Sequence, residues 1–376
     1  MTDILFWILV GFAGFVVLLR LFFWLLIFPA WWKTEKQSGE QADLPPLSVV
    51  IASRNEAKNL KTFLPKVLEQ DYPEFQVVVV DDCSEDNSRE VLAELQNQYE
   101  HLYVTWVPQG GHFRRGKKVA LSIGIRAAEN DCLVFTDADC YPASDQWLRY
   151  MGAGYAGGND VVLGLGTYQR RKSLLNALIH YDTMLIAMMY GGMAQRIKPY
   201  MGVGRNLAYK KSLWLEKGGF RGFSNTLSGD DDLFVNAYAQ RKRTAVVFHP
   251  GAKTISEPAT SFRDWRRQKV RHLGSSKRYP FWLKLLLVAE PLSRFITPFA
   301  LAVLVWLMPI PEMLIAVPAL YLILKALQFF VVCKSLKMTK ESRSVCFYPI
   351  IDVFLPLIYV IFALGRLRPD KTNVWK

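Results

Sequence analysis

Paired cysteines are missing from this sequence. Its five cysteines (Cys83, Cys132, Cys140, Cys333 and Cys346) show no regular spacing. That excludes a disulfide framework or a cysteine zinc motif and fits a reducing compartment. The five histidines form no His-Glu-x-x-His or similar cluster, so no histidine metal centre is expected. No Gly-x-Gly-x-x-Gly follows the first strand-like run. Ser53-Arg54-Asn55-Glu56 stands there, and Gly202-Val203-Gly204 comes too late and lacks a third glycine. A nicotinamide dehydrogenase is therefore not expected. Internal repeats and low-complexity tracts are also absent. Acidic residues are outnumbered, 33 against 46 Lys and Arg, giving a net charge of +13. Such an excess raises the question of nucleic acid, but its placement argues otherwise. Much of it flanks apolar segments or a candidate site: Lys33 and Lys36, Arg263 to Arg278, and Lys334 to Lys340. That pattern fits a cytoplasmic membrane face and a pocket for a polyphosphate, with no nucleic-acid partner expected.

What is abundant is apolar sequence, 51% hydrophobic with 13% aromatic residues. It concentrates at both ends. Leu5 to Trp32 is interrupted only by Arg20 and is long enough to cross a bilayer. It lacks the charged start and small-residue cleavage site of a signal peptide, so it reads as a retained anchor over residues 1–32. Three further stretches, Leu292 to Met308, Met313 to Cys333 and Phe347 to Leu364, place a C-terminal membrane region in residues 281–376. Lys33 and Lys36 put the end of the first span in the cytoplasm. Three more crossings would carry the tail outside, yet Arg366, Arg368, Lys371 and Lys376 favour the inside. Pro349 and Pro356 mark the last stretch as the one expected to be re-entrant or interfacial.

Residues 33–46 are polar, end in Pro45-Pro46 and read as a linker. From Leu47 strands and helices alternate. Strands are expected at Leu47–Ala52, Phe75–Val80, near Leu102–Val107, Cys132–Thr136, Val161–Leu165 and Ala245–Phe248. Helices are expected from a Ser53-x-x-Glu56 capping box to Gln70, and at Ser88–Tyr99, Lys117–Ala128, Leu174–Met189, Asp231–Arg241 and Phe262–Gly274. Repeated β-α units imply an α/β fold, a mostly parallel sheet with helices on both faces.

Polar clusters punctuate this region in order: Ser53-Arg54-Asn55-Glu56, Asp81-Asp82-Cys83-Ser84, Asp137-Ala138-Asp139 and Gly229-Asp230-Asp231-Asp232, then the basic Gln268-Lys269-Val270-Arg271-His272. In open α/β sheets ligands bind beyond the carboxyl ends of the strands, which is where Asp82 and Asp137-Ala138-Asp139 fall. Paired carboxylates there can hold a divalent cation, and the cation a diphosphate. Asp82 can accept the imide N–H of a uracil ring. Three adjacent aspartates repel one another, which raises at least one pKa toward that of a useful base.

The ordered set resembles the family 2 glycosyltransferases, which have the GT-A fold. The resemblance rests on Ser48-Val-Val-Ile-Ala-Ser-Arg-Asn-Glu56, Val79-Val-Asp-Asp-Cys-Ser84, Gly116-Lys117 with Ala120-Leu121, Thr136-Asp-Ala-Asp139, Met201-Gly-Val-Gly-Arg-Asn-Leu-Ala-Tyr209 and Gly218-Gly219-Phe220. It covers roughly Leu47 to Tyr279, within an expected catalytic domain of residues 47–280. It implies a Rossmann-like GT-A domain, which the apolar runs would flank with transmembrane helices at both ends of the chain. It implies a nucleotide-sugar donor held by Ala52, Arg54, Glu56, Asp82, Lys117, Asp137, Asp139 and Arg271, with Asp139 as ligand to Mn²⁺ or Mg²⁺. By the same resemblance Asp231, with Asp230 in reserve, is the catalytic base, and Gly204, Asn206, Gln268 and His272 face the acceptor. Gln268-x-x-Arg271-His272 resembles the family's Gln-x-x-Arg-Trp motif with His272 in place of tryptophan, which weakens the case for a processive polysaccharide synthase. Ser122 stands where an asparagine is more usual.

The expectation is an inverting, metal-dependent hexosyltransferase that moves sugar from a uridine diphosphate donor to a lipid or lipid-linked acceptor. It would be integral to a bilayer (a bacterial inner membrane) with its catalytic domain cytoplasmic and the basic helix 262–274 at the interface. A phosphatase of the haloacid dehalogenase type also carries Asp-x-Asp after a strand. However, it places the motif near the domain start, whereas three β-α units come first here. A non-catalytic membrane scaffold is disfavoured by intact Asp82, Asp139, Asp231 and Arg271.

Overall fold

A computed structural model describes residues 2–36, 44–108, 116–226, 228–307, 310–341 and 348–365. The cationic tail from Arg366 to Lys376, Cys346, and most of the linker lie outside the described residues. Helix α1 (Thr2–Leu21) continues through a π-helical turn at Phe22–Ile27 and a 3₁₀ segment at Ala30–Lys36. Then β1 (Leu47–Ser53), α2 (Ala57–Leu68), β2 (Phe75–Asp81), α3 (Ser88–Gln98), β3 (Leu102–Trp106), α4 (Lys117–Ala127) and β4 (Cys132–Phe135) alternate as the sequence pattern predicts. Next come β5 (Cys140–Pro142), α5 (Trp147–Ala153), β6 (Val161–Gly164), β7 (Gly166–Tyr168) and the long α6 (Leu174–Arg196). Then follow β8 (Leu207–Lys210), α7 (Lys211–Glu216), α8 (Asp232–Tyr238), β9 (Thr244–Val247), β10 (Thr254–Ser256) and α9 (Phe262–Leu273). Three long helices close the described chain: α10 (Phe281–Leu307), α11 (Pro311–Met338) and α12 (Tyr348–Gly365).

Seven strands form one sheet in the order β3-β2-β1-β4-β8-β6-β9, parallel except where β8 runs against β4 and β6. β1 is buried along its whole length, as a central parallel strand covered on both faces must be. One core joins the sheet to α4, α6 and the aromatic residues Phe23, Trp24 and Phe28; the other lies under α2, α3 and α5. A three-stranded sheet, β5-β10-β7, stands beside the end of β4. The expected capping box is not formed. Ser53 pairs in register with Asp81 as the last residue of β1, so it cannot cap α2, whose first position follows Glu56 without a side-chain bond.

The described residues include three helices long and apolar enough to cross a membrane: Ile4–Lys33, Phe281–Leu307 and Pro311–Met338. Gly192 of α6 lets the end of the first of these come close, since a Cβ there would lie 2.0 Å from the Ile27 carbonyl oxygen. Four charged side chains between the apolar helices, Glu290, Arg294, Lys325 and Asp352, are paired, as burial away from water requires. Arg294 meets Glu290 at 2.9 Å and Asp352 at 2.5 Å, and Lys325 meets Asp352 at 2.9 Å. Arg20 donates to Gln328 at 2.8 Å, joining two of the apolar helices, and Tyr181 of α6 donates to Asp352 at 2.9 Å, tying α12 to the sheet domain.

Candidate active site

The start of α4, the carboxyl end of β4, the segment entering β8 and the residues just before α8 converge on one cleft. Its floor is apolar, from Leu121, Phe135, Leu207 and Tyr209, and its polar lining comprises Lys117, Thr136, Asp137, Gly204, Asp230 and Asp231. Residues up to 114 positions apart in sequence, Lys117 and Asp231, meet there, and the β-to-α loops among them do so because a parallel sheet places such loops at the same edge.

Lys117 opens α4 and reaches across the cleft. Its Nζ lies 2.6 Å from Asp137 Oδ1 and 3.5 Å from Asp230 Oδ2. Burial alone would lower its pKa, but Asp137, Asp230 and Asp231 together raise it, so it is a fixed cation. Asp137 is held low against its burial by Lys117, with help from Arg205 and Arg271. Asp139 is open to solvent yet walled by protein, and that enclosure and Asp137 raise its pKa. Ligand atoms of Asp137, Asp139 and Cys140 lie within 4.8 Å of one another. Two hard carboxylates in that span suit Mn²⁺ or Mg²⁺. Glu56 faces the same pair. Burial, then Asp139 and Asp137, push it up to about 7 despite a bond from Asn59.

The three aspartates at 230–232 separate by environment. Asp232 accepts from Ser275 and, at 2.7 Å, from Tyr279, which makes it a buried anchor between α8 and the chain beyond α9. Asp230 is buried beside Lys117. Asp231 accepts from its neighbour's backbone N–H at 2.7 Å and from the Gly204 N–H at 2.9 Å. Burial, then Asp230 and Asp232, raise it to about 7 against the pull of Lys117.

Other expected residues divide. Ala52 is buried at the end of β1, Arg54 is half-buried beyond it, and Asp82 is fully buried with its N–H on the Ser53 carbonyl at 2.8 Å. Arg271 is exposed on α9, and its charge helps hold the Asp137 carboxyl low. His272 has an open edge but is enclosed by the cleft. That enclosure, with Arg271, Lys269, Arg205 and Lys117, drops its imidazole to about 3, so it is neutral. Gln268 donates to the Tyr168 hydroxyl at 3.0 Å. Gly204 lines the cleft, but Asn206 does not. It is fully buried, accepts from Trp147, and spends both amide hydrogens on the Leu165 and Ala252 carbonyls. Its expected acceptor contact is corrected to a structural one, because it has no free donor to offer.

Sequence reading missed Arg205. It sits in the expected Gly-Val-Gly-Arg-Asn segment, with its guanidinium 4.3 Å over the Tyr168 ring and a bond to the Gly166 carbonyl at 2.8 Å. Its position next to Gly204 was the available signal. Lys118 was also missed. It is buried and donates to the Phe223 carbonyl at 2.8 Å and to Thr226, fixing the loop that leads to Asp230.

Comparison with known proteins agrees with this geometry. Residues 48–214 match the family described as "Glycosyl transferase family 2", and residues 137–336, more than half of the chain, match "Glycosyl transferase family group 2". The chain is 25% identical over 237 residues to the "Probable glycosyltransferase YdaM" of Bacillus subtilis, covering 61% of this chain and 54% of that protein. It is 27% identical over 149 residues to the "Beta-monoglucosyldiacylglycerol synthase" of Trichormus variabilis, covering 39% of this chain and 30% of that one. It therefore spans about half of the first relative and under a third of the second. A solved structure, "Mannosyltransferase PcManGT from Pyrobaculum calidifontis in complex with GDP-Man and Mn2+", shares the fold with a TM-score of 0.53 at 19% identity, over 94% of this chain and 98% of that one.

Proposed function

The chain belongs to the family 2 glycosyltransferases, and on that premise we propose that it is a membrane-bound, inverting, metal-dependent enzyme. It transfers a hexose from a nucleoside diphosphate sugar, by preference a uridine diphosphate sugar, to the hydroxyl of a lipid or lipid-linked acceptor. The observation that carries the reading is the placement of Asp231. It is a carboxylate raised to about 7, in a cleft it shares with Lys117 and Asp137. That is the protonation range of a general base working near neutrality.

The acceptor hydroxyl gives its proton to Asp231 as its oxygen bonds to the anomeric carbon. The bond from that carbon to the diphosphate oxygen breaks on the opposite face, and the electron pair leaves with the nucleoside diphosphate. Lys117 and Arg271 are cations positioned for that developing charge. Asp139, with Asp137, would hold Mn²⁺ or Mg²⁺, which when bound supplies Lewis-acid stabilisation to the diphosphate. Asp82, at the end of β2, is assigned to the base, and Ala52, Arg54 and Glu56 to the nucleoside side. Gly204, Gln268 and the neutral His272 border the acceptor. The catalytic domain, residues 47–280, is assigned to the cytoplasmic side, with α9 along the bilayer surface.

Support for a lipid acceptor comes from the apolar helices packed directly on this domain and from the diacylglycerol-directed name of one relative. The test is release of nucleoside diphosphate by the full chain in detergent with native lipid extract and Mn²⁺. The donor panel would include UDP-sugars and GDP-mannose, with Asp231→Asn alongside. Lipid-dependent release from one donor, lost in the variant, supports the proposal. Undiminished release by Asp231→Asn would overturn the base, and release without lipid would overturn the acceptor class.

A further inference from the structure

The small sheet β5-β10-β7 places Cys140, Ser256 and Tyr168 on one cross-strand row, since Ser256 pairs with Cys140 on one side and with Tyr168 on the other. Side chains of such a row stand on the same face and touch. Here they connect two parts of the site. The Cys140 thiol lies 3.2 Å from Asp139 Oδ1 and 3.0 Å from Ser256 Oγ. Ser256 Oγ accepts from Arg205 at 3.5 Å, the Arg205 guanidinium covers the Tyr168 ring at 4.3 Å, and the Tyr168 hydroxyl accepts from Gln268 at 3.0 Å. Cys140, Ser256 and Tyr168 are all buried, and the contact between the Cys140 thiol and Ser256 is shielded from bulk water.

We infer that this row is a positioning rail: Tyr168, Ser256 and Arg205 seat α9 against the Asp139 loop and so set where Arg271, three residues along α9 from Gln268, lies relative to the cleft. The inference deepens the proposed function, because it assigns residues outside the Asp-Ala-Asp motif to placing the cation that faces the leaving diphosphate. The rail is needed because α9 has no backbone pairing to the sheet. Its described polar attachments to the rest of the domain through side chains are Gln268 to Tyr168 and Lys269 to Asp182. The second faces α6 and the membrane side, where Tyr359 of α12 also donates to Asp182 at 2.6 Å. Only the first faces the cleft. A helix held on one side alone can roll, and Arg271, three residues from Gln268, would swing with it.

Hydrogen–deuterium exchange of the full chain in detergent, with no donor, acceptor or metal added, tests the rail directly. Tyr168→Phe keeps the ring under Arg205 and removes only the hydroxyl; Ser256→Ala removes the middle contact. Both variants are expected to raise exchange in residues 262–273 by roughly three- to ten-fold, the loss of one part-buried hydrogen bond, while β1, β2 and β4 keep wild-type protection. Unchanged exchange in α9 for both variants would overturn the inference. So would a uniform rise over the whole domain, which would mean general destabilisation. A kinetic arm then separates positioning from folding. Tyr168→Phe should lower kcat by roughly three- to ten-fold with donor KM near wild type, and the Tyr168→Phe/Gln268→Ala double variant should fall no further than Gln268→Ala alone. Additive losses would overturn the coupling. Because the exchange arm uses no substrate, a wrong donor assignment would show as wild-type inactivity without altering its result.

Discussion

The backbone N–H of Gly204 donates to Asp231 Oδ2 at 2.9 Å, across 27 positions of sequence. A Cβ on residue 204 would lie 3.2 Å from that oxygen and 3.3 Å from Lys117 Nζ. The absence of a side chain at one position thus lets the proposed base and the fixed cation share one wall of the cleft.

Gly204→Ala therefore acts on chemistry before it acts on folding. The neighbours must yield by a few tenths of an ångström, and the side chains that yield are Asp231 and Lys117. We expect kcat to fall by about ten-fold, about 1.4 kcal/mol of barrier, with little change in thermal midpoint. Steady-state rates and a melting curve on the same preparation check this.

Asp231→Asn should lower kcat by about 10²–10⁴-fold, the usual worth of a general base, while donor binding is retained. The wild-type kcat/KM should climb with pH through about 7 as Asp231 ionises, and the variant's residual rate should lack that limb. A rate profile that is identical in shape for both proteins would remove Asp231 from the base role.

Stability carries the same signature with its own sign. Asp231 and Glu56 are both raised to about 7 in the fold, above the roughly 4 of unfolded carboxyls. The folded state then binds more protons than the unfolded state between about pH 4 and 7, so their contribution to stability is lost as pH rises through that window. Asp231→Asn should flatten this slope and raise the midpoint by roughly 2–4 °C at pH 7.5. Melting curves at pH 5 and pH 7.5 measure it.

Asp139→Asn should weaken Mn²⁺ binding by at least about ten-fold, since one of two close carboxylate ligands is lost. Electron paramagnetic resonance of free Mn²⁺ titrated with protein reads this without any turnover. Chelation of divalent ions should abolish wild-type transfer, and Mn²⁺ or Mg²⁺ should restore it.

Gly192→Ala tests the seat of the first apolar helix. Its Cβ would meet the Ile27 carbonyl oxygen at 2.0 Å, and a backbone oxygen cannot swing aside as a flexible side chain could, so one element must move. Overpacking of this kind costs about 1–3 kcal/mol. The expected result is a lower melting midpoint and faster proteolysis near residues 28–36, with the cleft residues unaltered in spacing.

Much of the fold was legible because its signals are local. Apolar runs of four to seven residues ending in Asp or Ser marked β1, β2 and β4, and their loops carried Glu56, Asp82 and Asp137-Ala138-Asp139 to the expected edge. The capping box at Ser53 failed because a local motif lost to a long-range one, the pairing of Ser53 with Asp81. Asn206 was misread for a related reason: its motif fits a site, but its amide is consumed by Trp147 and two carbonyls brought in from distant segments.

By itself the sequence determined the alternation of strands and helices, the apolar ends, and the set of charged residues from which a site could be made. Hydrophobic period and loop chemistry act within a few residues, so they survive without a third dimension. Tertiary structure alone decided which aspartate of three accepts from Gly204, which pairs with Lys117 and which is locked by Ser275 and Tyr279. It alone aligned Cys140, Ser256 and Tyr168. Electrostatic and packing energies depend on distances between atoms far apart in the chain, and those distances exist only once the sheet has closed.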